Sequence, residues 1–266
     1  MLARNAGPVL STITSALSVR SVGPLGQSTY REATMSQQSV IPAPSAAAEH
    51  APRTTVRRRM TLLFAVIVLT SIAGLAVGLW YPAPDAGDRY TYAGVQPIRD
   101  FWWAWHVFAG VNLVVGVTAL ALAGLRLVPS RGAVWGTVGA SMMWLGAGLY
   151  GVGLGGLATA YHYATSPVLD RASGMALVEA LGTDFARLYG IVLPGALLVA
   201  LGTVALSVAL WRARTVPRWV PIVAGISILA TLVVETSGPA GLLAEGPVAI
   251  SSVAIGWHAW RTSARA

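Results

Sequence analysis

Residues 60–80 read MTLLFAVIVLTSIAGLAVGLW, 21 positions from Met60 to Trp80 without a charge. As a helix rising about 1.5 Å per residue, this stretch covers the roughly 30 Å hydrocarbon layer of a bilayer. Arg57, Arg58 and Arg59 stand just before it. A cleaved signal peptide carries a shorter apolar region near the true amino terminus, so the stretch reads as a permanent signal-anchor helix.

The rest of the chain repeats the pattern. A second apolar stretch opens at Phe101, Trp102, Trp103 and Trp105 and ends near Leu125, where Arg126 and Pro129 stop it. A third runs from Gly132 to Tyr161, longer than one membrane-normal helix needs, so it must tilt, break or project from the bilayer. A fourth extends from Arg187 to Trp211, with Pro194 expected to kink it, and a fifth from Trp219 to Val234. A sixth lies between Pro239 and Trp260, and Glu245, Gly246 and Pro247 leave its start open: a kinked helix from Pro239 or a short one from Pro247. With 55% apolar and 11% charged residues over 266 positions, the composition demands lipid.

All 18 basic residues are Arg, and the net charge is +8. They lie at helix ends rather than in one stripe, which argues for topology over nucleic-acid binding. With the amino terminus in the cytoplasm, the inner segments hold Arg53, Arg57, Arg58, Arg59, Arg126, Arg131, Arg212, Arg214, Arg218, Arg261 and Arg265, while the outer ones hold only Arg89, Arg99, Arg171 and Arg187. The positive-inside rule therefore puts both termini in the cytoplasm. Cysteine is absent, which excludes disulfides, thiolate zinc sites, iron–sulfur clusters and covalent c-type haem. Residues 1–59 are polar and aperiodic and read as a disordered cytoplasmic tail. Translation from Met35 would remove residues 1–34 without structural cost. Arg4, Arg20 and Arg31 with no acid among the first 31 positions faintly resemble a transit peptide, but no amphipathic helix accompanies them.

Two outer loops are long enough to carry structure, Tyr81 to Asp100 and His162 to Ala186. In the second, Leu177, Val178 and Leu181 predict a short interfacial helix near Ser173–Leu181. GxxxG pairs at Gly74 with Gly78, Gly132 with Gly136 and Gly151 with Gly155 suit close helix packing, within the bundle or between copies or partner chains. His106 and His162 fall near the outer surface on consecutive spans, as two haem ligands would, and His258 lies opposite; interfacial histidines among Trp and Tyr look the same. Of Asp100, Asp184, Glu235 and Glu245, the last is buried if the sixth helix starts at Pro239. Should a polar cavity exist, His106, Asn112, His162, Glu235 and Glu245 are its candidate residues.

The stretch LPGALLVALGTVALSVALWRARTVPRWVPIVAG, Leu193 to Gly225, resembles a broad group of multi-pass inner-membrane proteins of actinobacteria without known activity, whose recurring feature is a helix ending in WRARxVPRW, here Trp211 to Trp219. The resemblance implies six helices and a plasma-membrane location, and brings no functional residues with it.

The expected fold is thus an all-α membrane protein, a bundle of six transmembrane helices, with five as the alternative count, spanning 60–261. No catalytic constellation, cofactor or metal signature is visible, so the leading expectation is a non-enzymatic structural or accessory protein whose partner is the lipid bilayer. A small-molecule permease is the alternative and a haem-binding redox protein the third. A cavity reaching Glu245 or Asn112 would favour the permease.

Overall fold

Uninterrupted apolar sequence in lipid has to satisfy every backbone N–H and C=O within the segment, and the helix does so. The computed structural model describes residues 46–82, 89–234 and 238–263, and long helices dominate them. Helix α1 spans Ala46–Leu79. A short α2, Tyr92–Val95, capped by the Thr91 hydroxyl, leads through a 3-10 turn into α3, Arg99–Leu127. Then follow α4, Ala133–Ala164; α5, Arg171–Thr183; α6, Phe185–Tyr189; and α7, Val192–Ala213. The chain closes with α8, Trp219–Ala230, and α9, Gly238–Ser263. Five of these, α1, α3, α4, α7 and α9, are long and apolar enough to cross a membrane. The protein is an all-α, multi-pass membrane protein.

Two boundaries differ from expectation, and one that the sequence leaves open is decided. The helix containing Met60 begins at Ala46, so the polar tail does not extend to residue 59. Adding polar turns to an existing apolar helix needs no new nucleus, which is the costly step. Residues 1–45, with the alternative start at Met35, lie outside the described residues. Pro194 does not kink the fourth span, because α7 starts only at Val192 and the proline sits in its first turn. A residue without an N–H is tolerated there, where no intrahelical partner exists, and the chain breaks at Gly190 and Ile191, just where Pro194 would have bonded. The boundary left open is that of α9, which starts at Gly238, the alternative near Pro239, and runs through Pro247.

Side-chain contacts fix the direction of each helix. Tyr81 meets His106, Gly74 faces Asn112 and Gly116 faces Thr70, so α3 runs antiparallel to α1. Trp102 packs on Tyr161 and Gly110 on Gly151, making α4 antiparallel to α3. Gly139 lies against Gly202 and Gly146 against Gly195, which sets α7 antiparallel to α4. Finally, Trp260 Nε1 donates to Thr61 Oγ1 at 3.0 Å and Phe64 packs on Trp257, so α9 ends beside the start of α1.

We call the face where α1 begins proximal and the opposite face distal. Helix α7 ends proximally and α9 starts distally, so the chain from Trp219 to Gly238 must pass between the faces. Only α8 and the turns through Val234 are described there. At 12 residues, or about 18 Å, α8 is shorter than the roughly 30 Å hydrocarbon layer. Among its described residues the fifth passage is therefore helical only over its proximal part.

Two apolar clusters result. The proximal one joins Ile67, Ala123, Met143, Leu206, Leu210, Val220 and Ile255. The distal one joins Val95, Trp102, Leu157, Tyr161 and Val178. Val178 belongs to α5, the predicted interfacial helix, which is held to α4 and α2 by its one buried stripe.

Candidate functional site

Between the two clusters lies a partly open cavity of about 320 Å3. Its wall draws on α1, α3, α4, α7, α8 and α9, where successive lining positions follow helical spacing: Thr70, Gly74 and Gly78; Ala109, Asn112 and Gly116; Glu245, Val248, Ala249 and Ser252. The shortness of α8 explains the space, since it contributes only Ala224 and Ile228. Most of the lining is apolar, with polar atoms at selected points, as in sites for small ligands, whose volumes run from about 300 to 1,000 Å3.

Asn112 reaches across from α3 and donates from Nδ2 to the Thr70 carbonyl at 3.1 Å. A carbonyl only accepts, so the amide orientation follows, and Oδ1 remains available. The Thr70, Thr203 and Ser251 hydroxyls each donate to a carbonyl of their own helix, Val66, Val199 and Val248, at 2.8, 2.8 and 3.0 Å. Their oxygens keep lone pairs. Glu245 lines the same cavity and its carboxylate has no hydrogen bond or ion pair among the described residues. Pro247, lacking an N–H, also leaves the Leu243 carbonyl without its helical donor.

His106 is fully buried beside the cavity rather than in its wall. Its Nδ1 lies 2.8 Å from the Trp102 carbonyl and must carry the proton of that bond. In the neutral ring Nε2 then accepts from the Tyr81 hydroxyl at 2.9 Å. Tyr81 itself lines the cavity. With both ring nitrogens engaged and the ring centroid 3.8 Å from that of Trp102 at a tilt of 34°, a haem iron would have to displace Tyr81.

His162 sits elsewhere. Half-exposed at the distal rim, it packs near Trp103, and its Nδ1 stands 3.7 Å from Asp100, beyond hydrogen-bond range. Asp100 accepts from Arg99 Nε at 3.1 Å in open solvent. Asp184 caps α6 and pairs with Arg187 at 3.3 Å, also exposed. Glu235 lies outside the described residues. Of the five candidate residues, then, Asn112 and Glu245 share one cavity, His106 supports its wall through Tyr81, and His162 does not approach it. No trio of His, Cys, Asp or Glu able to hold a metal occurs among the described residues.

Sequence reasoning missed Tyr81, Tyr150, Thr203 and Ser252. The signal was present in α9, where Glu245 and Ser252 stand two turns apart on one face, and in α1, where Thr70, Gly74 and Gly78 do the same. Small and polar residues at that spacing inside an apolar span mark an inward face.

Comparison of the chain with protein-family models, with curated proteins and with solved structures finds no match.

Proposed function

We propose that this protein binds a small solute in the cavity between its helices, as a permease-like protein of the plasma membrane with both termini in the cytoplasm. The observation that carries the reading is a carboxylate, Glu245, without a hydrogen-bond or ion-pair partner among the described residues and on the same cavity wall as Asn112. An ionisable group within a bilayer is costly and is retained where it meets a substrate, an ion or water. A purely structural bundle gains nothing from such a void, whose lining atoms forgo packing contacts. The orientation follows from the arginines, Arg57, Arg58, Arg59, Arg126, Arg131, Arg212, Arg214 and Arg218 at the proximal face against Arg89, Arg99, Arg171 and Arg187 toward the distal one. The resemblance of the Trp211–Trp219 hairpin to actinobacterial inner-membrane proteins supports the location.

Thermal unfolding of the protein in lipid nanodiscs, surveyed against millimolar amines, sugars, amino acids and carboxylates, tests the proposal. A bound class raises stability by about 2.7 kcal/mol at a hundredfold excess over Kd. Ala249→Trp, which fills the cavity, should remove the gain. Absence of any shift with every class overturns the reading.

A further inference from the structure

We infer that the solute is a compact organic cation, held by Glu245 among the acceptor oxygens and tyrosine rings of the cavity wall. The inference rests on the solute-site reading above and adds the chemical class.

Charge is the first argument. Although the chain carries a net charge of +8, Glu245 is the sole charged side chain in the described lining, and no Arg or His joins it. The two connections outside the described residues, 83–88 and 235–237, contain Asp85, Asp88 and Glu235 and no basic residue, so they bring no positive charge. A lone carboxylate in a largely apolar wall would repel an anion. It is relieved by taking up a proton or by a counter-cation, and of charged solutes only a cation offers that relief.

Polarity of the hydrogen-bonding groups is the second. Thr70, Thr203 and Ser251 spend their protons on carbonyls of their own helices, and Asn112 commits an amide proton to Thr70. These groups leave an occupant oxygen lone pairs, the complement of an ammonium, beside the second Asn112 N–H and the hydroxyls of Ser71, Tyr150 and Ser252, which can turn either a proton or a lone pair to it. Tyr81 and Tyr150 add aromatic faces, which attract cations electrostatically.

Size is the third. The cavity is about twice the roughly 150 Å3 void that admits benzene, far larger than a bare metal ion needs. One carboxylate also gives a poor shell for a divalent ion, which prefers several oxygen ligands at once. An amine or quaternary ammonium with a short apolar body satisfies the charge, the oxygens and the apolar lining together.

Three isosteric probes separate the possibilities: choline, its neutral analogue 3,3-dimethylbutan-1-ol, and the anion 3,3-dimethylbutanoate. In nanodiscs containing the full chain, choline should bind at least tenfold more tightly than the alcohol, and the anion not at all. Glu245→Gln should weaken choline at least tenfold and change the alcohol less than twofold. The comparison on the unaltered protein stands even if that variant fails to fold. Equal affinity for choline and the alcohol, or no choline binding at millimolar concentration, overturns the cation assignment. If the alcohol binds in either case and Ala249→Trp abolishes it, the solute site survives. If no probe binds and Ala249→Trp changes nothing, both readings fall.

Discussion

At the scale of single residues, His106 shows how burial and hydrogen bonding decide a role that residue type leaves open. Its ring is wedged among Trp102, Tyr81 and Tyr90, with both nitrogens committed. Removing it leaves a void and takes the acceptor from the Tyr81 hydroxyl, so His106→Ala should cost about 3 kcal/mol in thermal or denaturant unfolding, with or without added haem. A Soret band that disappears in this variant would instead revive the haem ligand. Sequence could place His106 beside the distal surface but could not reveal Tyr81 as its partner, because the pair is 25 positions apart and joined only by the turn of the chain between two helices.

Asp170 gives a residue-scale expectation in water. Its side chain caps α5 by accepting from the Ser173 N–H at 3.0 Å, and its hydrogen bonds to Ser173, side chain first and backbone next, hold the carboxyl below the ordinary carboxylate range. A carboxyl depressed in the folded state stabilises at pH values above its unfolded pKa, and that contribution is lost as pH falls through the folded value. Protection of the α5 amides, corrected for the intrinsic exchange rate at each pH, should accordingly be higher at neutral pH and fall in acid. Asp170→Asn, which keeps the cap without the charge, should flatten that acid dependence; an unchanged profile would remove the carboxylate from the account.

At the scale of helix pairs, close packing is carried by glycines. A Cβ on Gly139 would lie 2.7 Å from the Gly202 carbonyl oxygen, and one on Gly146 would lie 2.7 Å from that of Gly195. Backbone cannot retreat as a side chain can. Gly139→Ala should therefore destabilise the bundle by about 1–3 kcal/mol, whereas Gly155→Ala, with nothing within 4 Å, should stay within about 0.5 kcal/mol. Differential scanning fluorimetry in one detergent compares them, and equal melting points would contradict the packing. By contrast, the interhelical bond from Asn112 contributes only about 0.6 kcal/mol, the average for such bonds in membranes.

The GxxxG pairs read from sequence point only partly to these contacts. Gly132 and Gly136 both meet Ala209 of α7 and Gly151 packs on Gly110, but Gly155 meets nothing, and the α4–α7 seam adds Gly139 and Gly146, seven positions apart. Spacing within one helix names a possible face; which helix approaches it is a property of the fold. Pro194 teaches the same lesson. A proline in an apolar run bends a helix only if the helix has already begun, and here it begins at Val192.

At the scale of the whole molecule, hydropathy made the class and the long helices legible, because a bilayer imposes length and apolarity on every crossing. It could not show that α8 covers only part of its passage, since Trp219–Val234 is apolar throughout and differs from a full span only in length. That shortfall matters most for function. It leaves Glu245 and Asn112 beside open space rather than beside another helix. The two apolar clusters flank that space on its proximal and distal sides, and Tyr81 and Tyr150 line it.

Because the chain contains no cysteine, this space can be probed with single introduced thiols. Ser71 lines the cavity, while its neighbour Ile72 is 60% exposed on the outer, lipid-facing side and Ala123 is fully buried in the proximal cluster. Labelling with a small hydrophilic methanethiosulfonate, which needs water and a thiolate, should modify Ser71→Cys and spare both Ile72→Cys and Ala123→Cys. Protection of Ser71→Cys equal to that of Ala123→Cys would mean a dry, closed interior, and would contradict the account.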